Sequence, residues 1–304
     1  MLFRNQLISI PKNVRGSTAK TFPVVKTAAC IIIGDEVLNS KIIDTNSRFF
    51  AKFCYDKGIE LKKITIIGDE EQDIIETVRQ FDAKYDLIVT SGGIGPTHDD
   101  ITYSAIAKAY NLEMKFHQES FDRYVSMRGS DRLLKFDDDQ LSAFKRMFIL
   151  PYHSTLVNNF YVNSRWVPIV SINGKLNILP GVPSIFEHLL TEGLAPHLRT
   201  PKSSYKTFYV VTNLSEALIA PNLSQEQDII QKRGLPLKIG SYPHFEKQVN
   251  TISISGPADY MEYMQELVKK FRNELNGTEI NEAQEFELSI DRSSTSLERF
   301  NTTK

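Results

Sequence analysis

The sequence predicts an α/β fold: a mostly parallel sheet covered by helices on both faces, in three α/β/α layers, followed by a small α+β unit. Three observations predict it. Short β-branched apolar runs alternate with amphipathic stretches between residues 27 and 110. The first run is apolar at nearly every position, as a strand buried on both faces must be. The strand–helix rhythm implies right-handed crossovers between parallel neighbours.

Residues 27–34 (TAACIIIG) read as the first strand, ending in a glycine. Residues 44–57 follow as a helix whose apolar face carries Phe49, Phe50 and Phe53, with Gly58 as its stop. Residues 61–67 are the second strand, 73–81 the second helix, 85–90 the third strand and 100–110 the third helix. The middle is less regular. Helices are expected at 118–128 and 139–148, separated by a polar loop whose acidic run Asp137, Asp138 and Asp139 reads as a solvated face. Strand-like pieces at 167–172 and 176–179 precede a turn at 180–184 and a helix at 185–192. These elements make a domain of residues 25–200. A second unit, 205–276, is read as strand 205–212, helix 216–232, strands 237–242 and 249–255, and helix 258–275. The polar, Ser/Thr-rich residues 277–304 are expected to be disordered.

Charges nearly cancel, with 36 Lys and Arg against 37 Asp and Glu, which gives no support for a nucleic-acid partner. No apolar run is long enough to cross a bilayer, so no membrane partner is expected. The two cysteines, Cys30 and Cys54, lie in no CxxC pair or Cys/His cluster and read as small core residues of a reducing compartment. Residues 1–24 form a basic leader, expected to be disordered, and no acid precedes Asp35. That composition resembles a mitochondrial transit peptide, although Pro11 and Pro23 interrupt a long amphipathic helix. A cytoplasmic location is the expectation, with mitochondrial import as the alternative.

The strongest chemical signal is TSGGIGPTHDD at residues 90–100, between an apolar strand and an expected helix. Gly92, Gly93 and Gly95 let the backbone adopt positive φ and approach a ligand closely. Successive amides in such a turn can form an anion nest, reinforced by the helix behind it, and Thr97 or Asp99 could cap that helix. In a parallel sheet the turn lies at the carboxyl edge, where ligands bind. It is neither a GxGxxG fingerprint nor a P-loop. A tight connection with no ligand is the plain alternative. His98 reads as an exposed loop residue.

The stretch resembles the GGxGxT…D signature of the molybdopterin-binding superfamily, in the version found in the N-terminal domains of eukaryotic FAD synthases and in CinA-like proteins. Gly34-Asp35-Glu36-Val37-Leu38 and Asp44-Thr45-Asn46 resemble two further motifs of that subgroup. Leu179-Pro180-Gly181-Val182-Pro183-Ser184 with Phe186-Glu187 resembles a third, and Ile239-Gly240-Ser241-Tyr242-Pro243 a fourth. Stand-alone fungal relatives with FAD pyrophosphatase activity match best.

The resemblance implies metal-dependent cleavage of a dinucleotide diphosphate, FAD to FMN and AMP, with ADP-ribose as a side substrate. It implies a divalent metal, Mg²⁺ or Co²⁺, with K⁺ favouring the reaction, and a homo-oligomer. Nothing after Leu275 is long enough for a PAPS reductase-like domain, so FAD synthesis is not expected. The implied substrate contacts are Ser91, Gly92, Gly93, Gly95 and Thr97 of the turn, Asn46, Gly181 and Pro183, with Tyr242 shaping a ring pocket. A hard cation held by carboxylates can bridge phosphate oxygens and activate water. Asp100, at the position of the superfamily's aspartate, is the first candidate for metal ligand or general base, and Asp69 the second. Asp35 and Glu36 follow the first strand and are further metal candidates. A molybdopterin adenylyltransferase-like enzyme and a non-catalytic binder of flavin nucleotide are the alternatives. No GxSxG elbow, HExxH or Cys/His set points to serine or zinc chemistry.

Overall fold

The computed structural model describes residues 24–290 apart from residues 132, 202 and 203. Strand β1 (Thr27–Ile33) leads into a single helical turn, α1 (Asp35–Leu38), and then α2 (Asn46–Asp56). Strand β2 (Glu60–Ile67), helix α3 (Glu71–Asp82), strand β3 (Leu87–Ser91) and helix α4 (Thr102–Ala109) complete the first alternation. Next come β4 (Glu113–Phe116), α5 (Gln118–Arg128), α6 (Asp138–Arg146), β5 (Ile149–Tyr152) and β6 (Val157–Phe160). Strands β7 (Ile169–Ile172) and β8 (Leu176–Leu179) form a hairpin that feeds α7 (Pro183–His188), continued by a π-helical turn, Leu189–Leu194.

The main sheet has the order β2-β1-β3-β8-β7-β6. Its first four strands are parallel, and β7 and β6 run antiparallel to their neighbours. Alternate residues of β1 enter two different cores. Ala28, Cys30 and Ile32 meet Phe50 and Phe53 of α2 with Phe186 and Leu190, while Ala29, Ile31 and Ile33 meet Ile74, Val78 and Ile106 of α3 and α4. The two cores establish the three-layer arrangement, and each fully buried Phe or Ile contributes about 1.5–3 kcal/mol. Cys30 and Cys54 are buried free thiols in the first core.

The second unit is β9 (Tyr205–Thr212), α8 (Glu216–Lys232), β10 (Lys238–His244), β11 (Val249–Pro257), α9 (Met261–Glu274), β12 (Thr278–Ile280) and α10 (Glu282–Ser289). Its antiparallel sheet has the order β10-β11-β9-β12, with Val210, Ile252 and Ile254 packed against α8 and α9.

Several expectations need correction. Residues 277–290 are ordered: β12 pairs with β9, and Asn281 with Gln284 forms a capping box that starts α10. The polar composition hid a strand held by backbone bonds. The third helix begins at Thr102 rather than Asp100, and neither Thr97 nor Asp99 caps it. The acidic run Asp137, Asp138 and Asp139 is exposed, as expected, and Asp137 also forms the capping box of α6 with Gln140. Strands β4, β5 and β6 went unread because their four-residue runs (EMKF, ILPY, VNNF) mix charged, amide or proline residues with apolar ones, unlike the apolar four-residue strands β7 and β8. The leader expectation for residues 1–23 lies outside the described residues, as does the tail expectation for 291–304. Among the described residues, no helix is long and apolar enough to cross a membrane.

Candidate functional site

Strands β2, β1, β3 and β8 deliver their carboxyl ends to one edge, where Gly68, Gly34, Gly92 and Pro180-Gly181 follow them. Glycine at position 92 is a packing requirement. Its φ is +112°, and a Cβ there would collide with the Ile33 carbonyl oxygen. A Cβ on Gly181 would stand 3.3 Å from the Gly92 Cα, so the ends of β1, β3 and β8 touch backbone to backbone. The amide of Gly92 donates to the Leu179 carbonyl (3.2 Å). Asn46, at the start of α2, ties the same strand ends: its Nδ2 donates to Ser91 Oγ and to the Gly181 carbonyl, both at 2.8 Å. Its Oδ1 is buried and has no partner among the described residues.

The Gly-rich turn is held by its own carboxylate. Asp100 accepts from the Gly95 amide (2.6 Å), the Thr97 amide (2.8 Å) and Thr97 Oγ1 (2.5 Å). Thr102 closes the other side, Oγ1 donating to the Gly92 carbonyl and its amide to the Gly93 carbonyl, both at 3.0 Å. The expected nest is therefore narrower than the sequence suggests. A carboxylate a few residues away competes for loop amides through short charge-assisted bonds. The amides of Gly93 and Ile94 have no partner among the described residues. Asp100, expected as metal ligand or general base, accepts these three bonds in positioning the turn and also lines the cavity at this edge. Thr97 sits exposed at the tip rather than on the cavity wall.

The acids gather at the ends of β1 and β2. Asp69 Oδ2 accepts from the Asp35 amide (3.0 Å). The Glu36 carboxylate folds back over Gly34, with Oε2 2.6 Å from where a Cβ would be, and Asp35 Oδ1 stands 2.5 Å from the corresponding point on Gly68. A Cβ on Gly93 would lie 3.3 Å from Asp69 Oδ1, so this carboxylate borders the turn. Burial, then the nearby charges of Glu36, Asp35 and Asp99, raise the Asp69 pKa above the ordinary carboxylate value, against the lowering effect of the Asp35 amide. Among the described residues, no three His, Cys, Asp or Glu side chains converge as a metal site. A hard cation here would take most of its ligands from phosphate oxygens and water, as Mg²⁺ commonly does.

A cavity of about 480 Å³ opens at this edge. Ser91, Gly92, Gly93, Gly95, Asn46, Gly181, Pro183, Glu36 and Asp100 all line it. Much of the remaining wall is apolar: Val37, Ile42, Ile43, Val182, Met147 and Trp166. Sequence reasoning missed Met147 and Trp166. They are delivered by the irregular middle segment, where Tyr124 and Phe148 each hold the Trp166 ring at 5.3 Å. The one available signal was that Trp166 is the only tryptophan, beside an apolar run. Tyr242 is not brought here. It lies half exposed on β10, facing a different hollow, because the second unit turns that strand toward α2 and α10.

A family model described as "Probable molybdopterin binding domain" matches residues 29–200. A "Probable FAD synthase" of Caenorhabditis elegans is 29% identical over 272 residues, 84% of this chain and 51% of that protein. The chain thus spans about half the length of that curated relative. A protein of Pyrococcus horikoshii is 31% identical over 233 residues, 75% of this chain and 89% of that one. Among solved structures, the CinA protein "with unknown function" from Thermoplasma acidophilum superposes with a TM-score of 0.47 at 26% identity, covering 55% of this chain and 95% of that chain.

Proposed function

The chain belongs to the molybdopterin-binding domain family, and from that premise we propose that it hydrolyses the diphosphate of FAD to FMN and AMP. The observation that carries this reading is the composition of one cavity. The Gly93 and Ile94 backbone and the Glu36 and Asp100 carboxylates stand beside an apolar wall, and Asp69, outside that lining, borders the turn at Gly93. A dinucleotide diphosphate presents the same pair of surfaces, an anionic chain and a flat ring. Relatives named as probable FAD synthases support a flavin nucleotide as the ligand.

In the reaction, water attacks one phosphorus and the bond from that phosphorus to the bridging oxygen breaks. Each product keeps one phosphate. The Gly93 and Ile94 amides donate to phosphate oxygens. Trp166, Met147 and Val182 hold the ring and exclude water. Asp69, whose proton affinity is raised by its surroundings, takes the proton of the attacking water. Asp69 and Glu36, with Asp35 beside them, are the residues that would share a divalent cation, Mg²⁺ or Co²⁺, with the substrate. Such a cation would offset phosphate charge and lower the pKa of bound water.

The test is to incubate the purified chain with FAD, K⁺ and Mg²⁺ or Co²⁺ and to measure FMN and AMP. Equimolar products support the reading. Tight FAD binding without product under every metal would replace it with a second one, a flavin-nucleotide binder. That second reading is favoured by the engagement of Asp100 in bracing the turn.

A further inference from the structure

A second hollow, of about 410 Å³, lies away from the strand-end cavity and shares no lining residue with it. It is formed where the end of α2 and helix α10 meet the face of the β10-β11-β9 sheet that α8 and α9 leave open. Residues alternate across a strand, so while Val210, Ile252 and Ile254 enter the helix-covered core, Tyr209 and Ser253 face the hollow. Gly240 makes room for a ring: a Cβ there would stand 2.9 Å from Ser253 Oγ and 3.2 Å from Tyr242 Oη. From α2, Tyr55 Oη bonds Thr207 Oγ1 at 2.6 Å. From α10, Glu285 Oε1 accepts from Ser289 Oγ at 2.5 Å.

The lining carries hydroxyls, three tyrosines and one carboxylate, and among the described residues no Lys, Arg or His. The Tyr209 hydroxyl is pushed up to about 12 by burial, and then by Tyr55, Glu285, Glu282 and Tyr242. The charged groups that act on it are thus both acids. Tyr55 is raised by burial, with Glu282 and Asp56 adding and Lys52 and the Thr207 bond opposing. An anion would meet no counter-charge in this hollow. A cation would meet Glu285, phenolic oxygens and aromatic faces, the combination that holds ammonium groups.

We propose that this hollow is a second ligand site, taking a small organic cation with an ammonium head, clasped between Glu285 of α10 and the tyrosines of the open sheet face. The site is independent of the FAD reading. Its test is calorimetric titration of the full chain with tetramethylammonium and with methylammonium, using sodium and inorganic phosphate as controls. The expected result is saturable binding of at least one ammonium ion, weakened roughly fivefold or more by Glu285→Gln and by Tyr242→Ala, with FAD affinity and the melting temperature unchanged in Glu285→Gln. Absence of saturable ammonium binding would overturn the proposal. So would equal affinity in Glu285→Gln and the parent, or preferential uptake of phosphate.

Discussion

A carboxyl group whose pKa is raised in the folded chain costs stability whenever it is ionised. Asp69 is such a group, raised first by burial and then by Glu36, Asp35 and Asp99. The native state holds its proton where the unfolded chain has released it. Stability is therefore greatest below the ordinary carboxylate pKa and falls as pH rises through the raised value. Asp69→Asn should leave the melting temperature unchanged at strongly acidic pH and raise it at neutral pH, as read by calorimetry across that range. FAD turnover should fall by about a hundredfold or more if Asp69 receives the proton of water. An equal shift at every pH would remove the electrostatic account. The residue types of this site were legible in the sequence, since Asp35, Glu36 and Asp69 all follow strands. That Asp69 accepts from the Asp35 amide was not, because that contact joins two different strand ends.

At the scale of the element, the Gly-rich turn depends on Asp100. Three donors converge on that carboxylate, and hydrogen bonds to a charged group contribute roughly 1.5–3 kcal/mol each before solvent exposure reduces them. Asp100→Ala should loosen the turn and weaken FAD binding by about tenfold or more, while turnover at saturating FAD survives in part. A rise in KM with a modest loss of kcat is the expected pattern. Loss of kcat at unchanged KM would return Asp100 to the reaction itself. The turn was readable from its glycines and flanking strand, and so was the helix behind it to within two residues. That Gly92 serves packing was not readable, because the Ile33 carbonyl it clears belongs to a strand far away in sequence.

At the scale of the whole molecule, acids, turn and apolar wall come from segments spread between residues 32 and 185. No three of the described His, Cys, Asp or Glu side chains can hold a metal alone. The consequence is linkage: Mg²⁺ or Co²⁺ by itself should bind weakly and barely shift the melting temperature. With FAD present, the metal should bind far more tightly, and FAD at about a hundredfold above its Kd should stabilise the chain by about 2.7 kcal/mol. Tight metal binding without nucleotide would contradict the shared-ligand arrangement. The sequence by itself determined the alternation of elements, the parallel sheet and the edge where the candidate site residues collect. These follow from local periods and turn residues, which act over a few positions. Only the tertiary structure decided that Asp100 braces the turn, that Trp166 walls the cavity, that Tyr242 faces elsewhere and that residues 278–289 are ordered. Each of those depends on a partner distant along the chain, and a local pattern carries no record of which distant group it will meet.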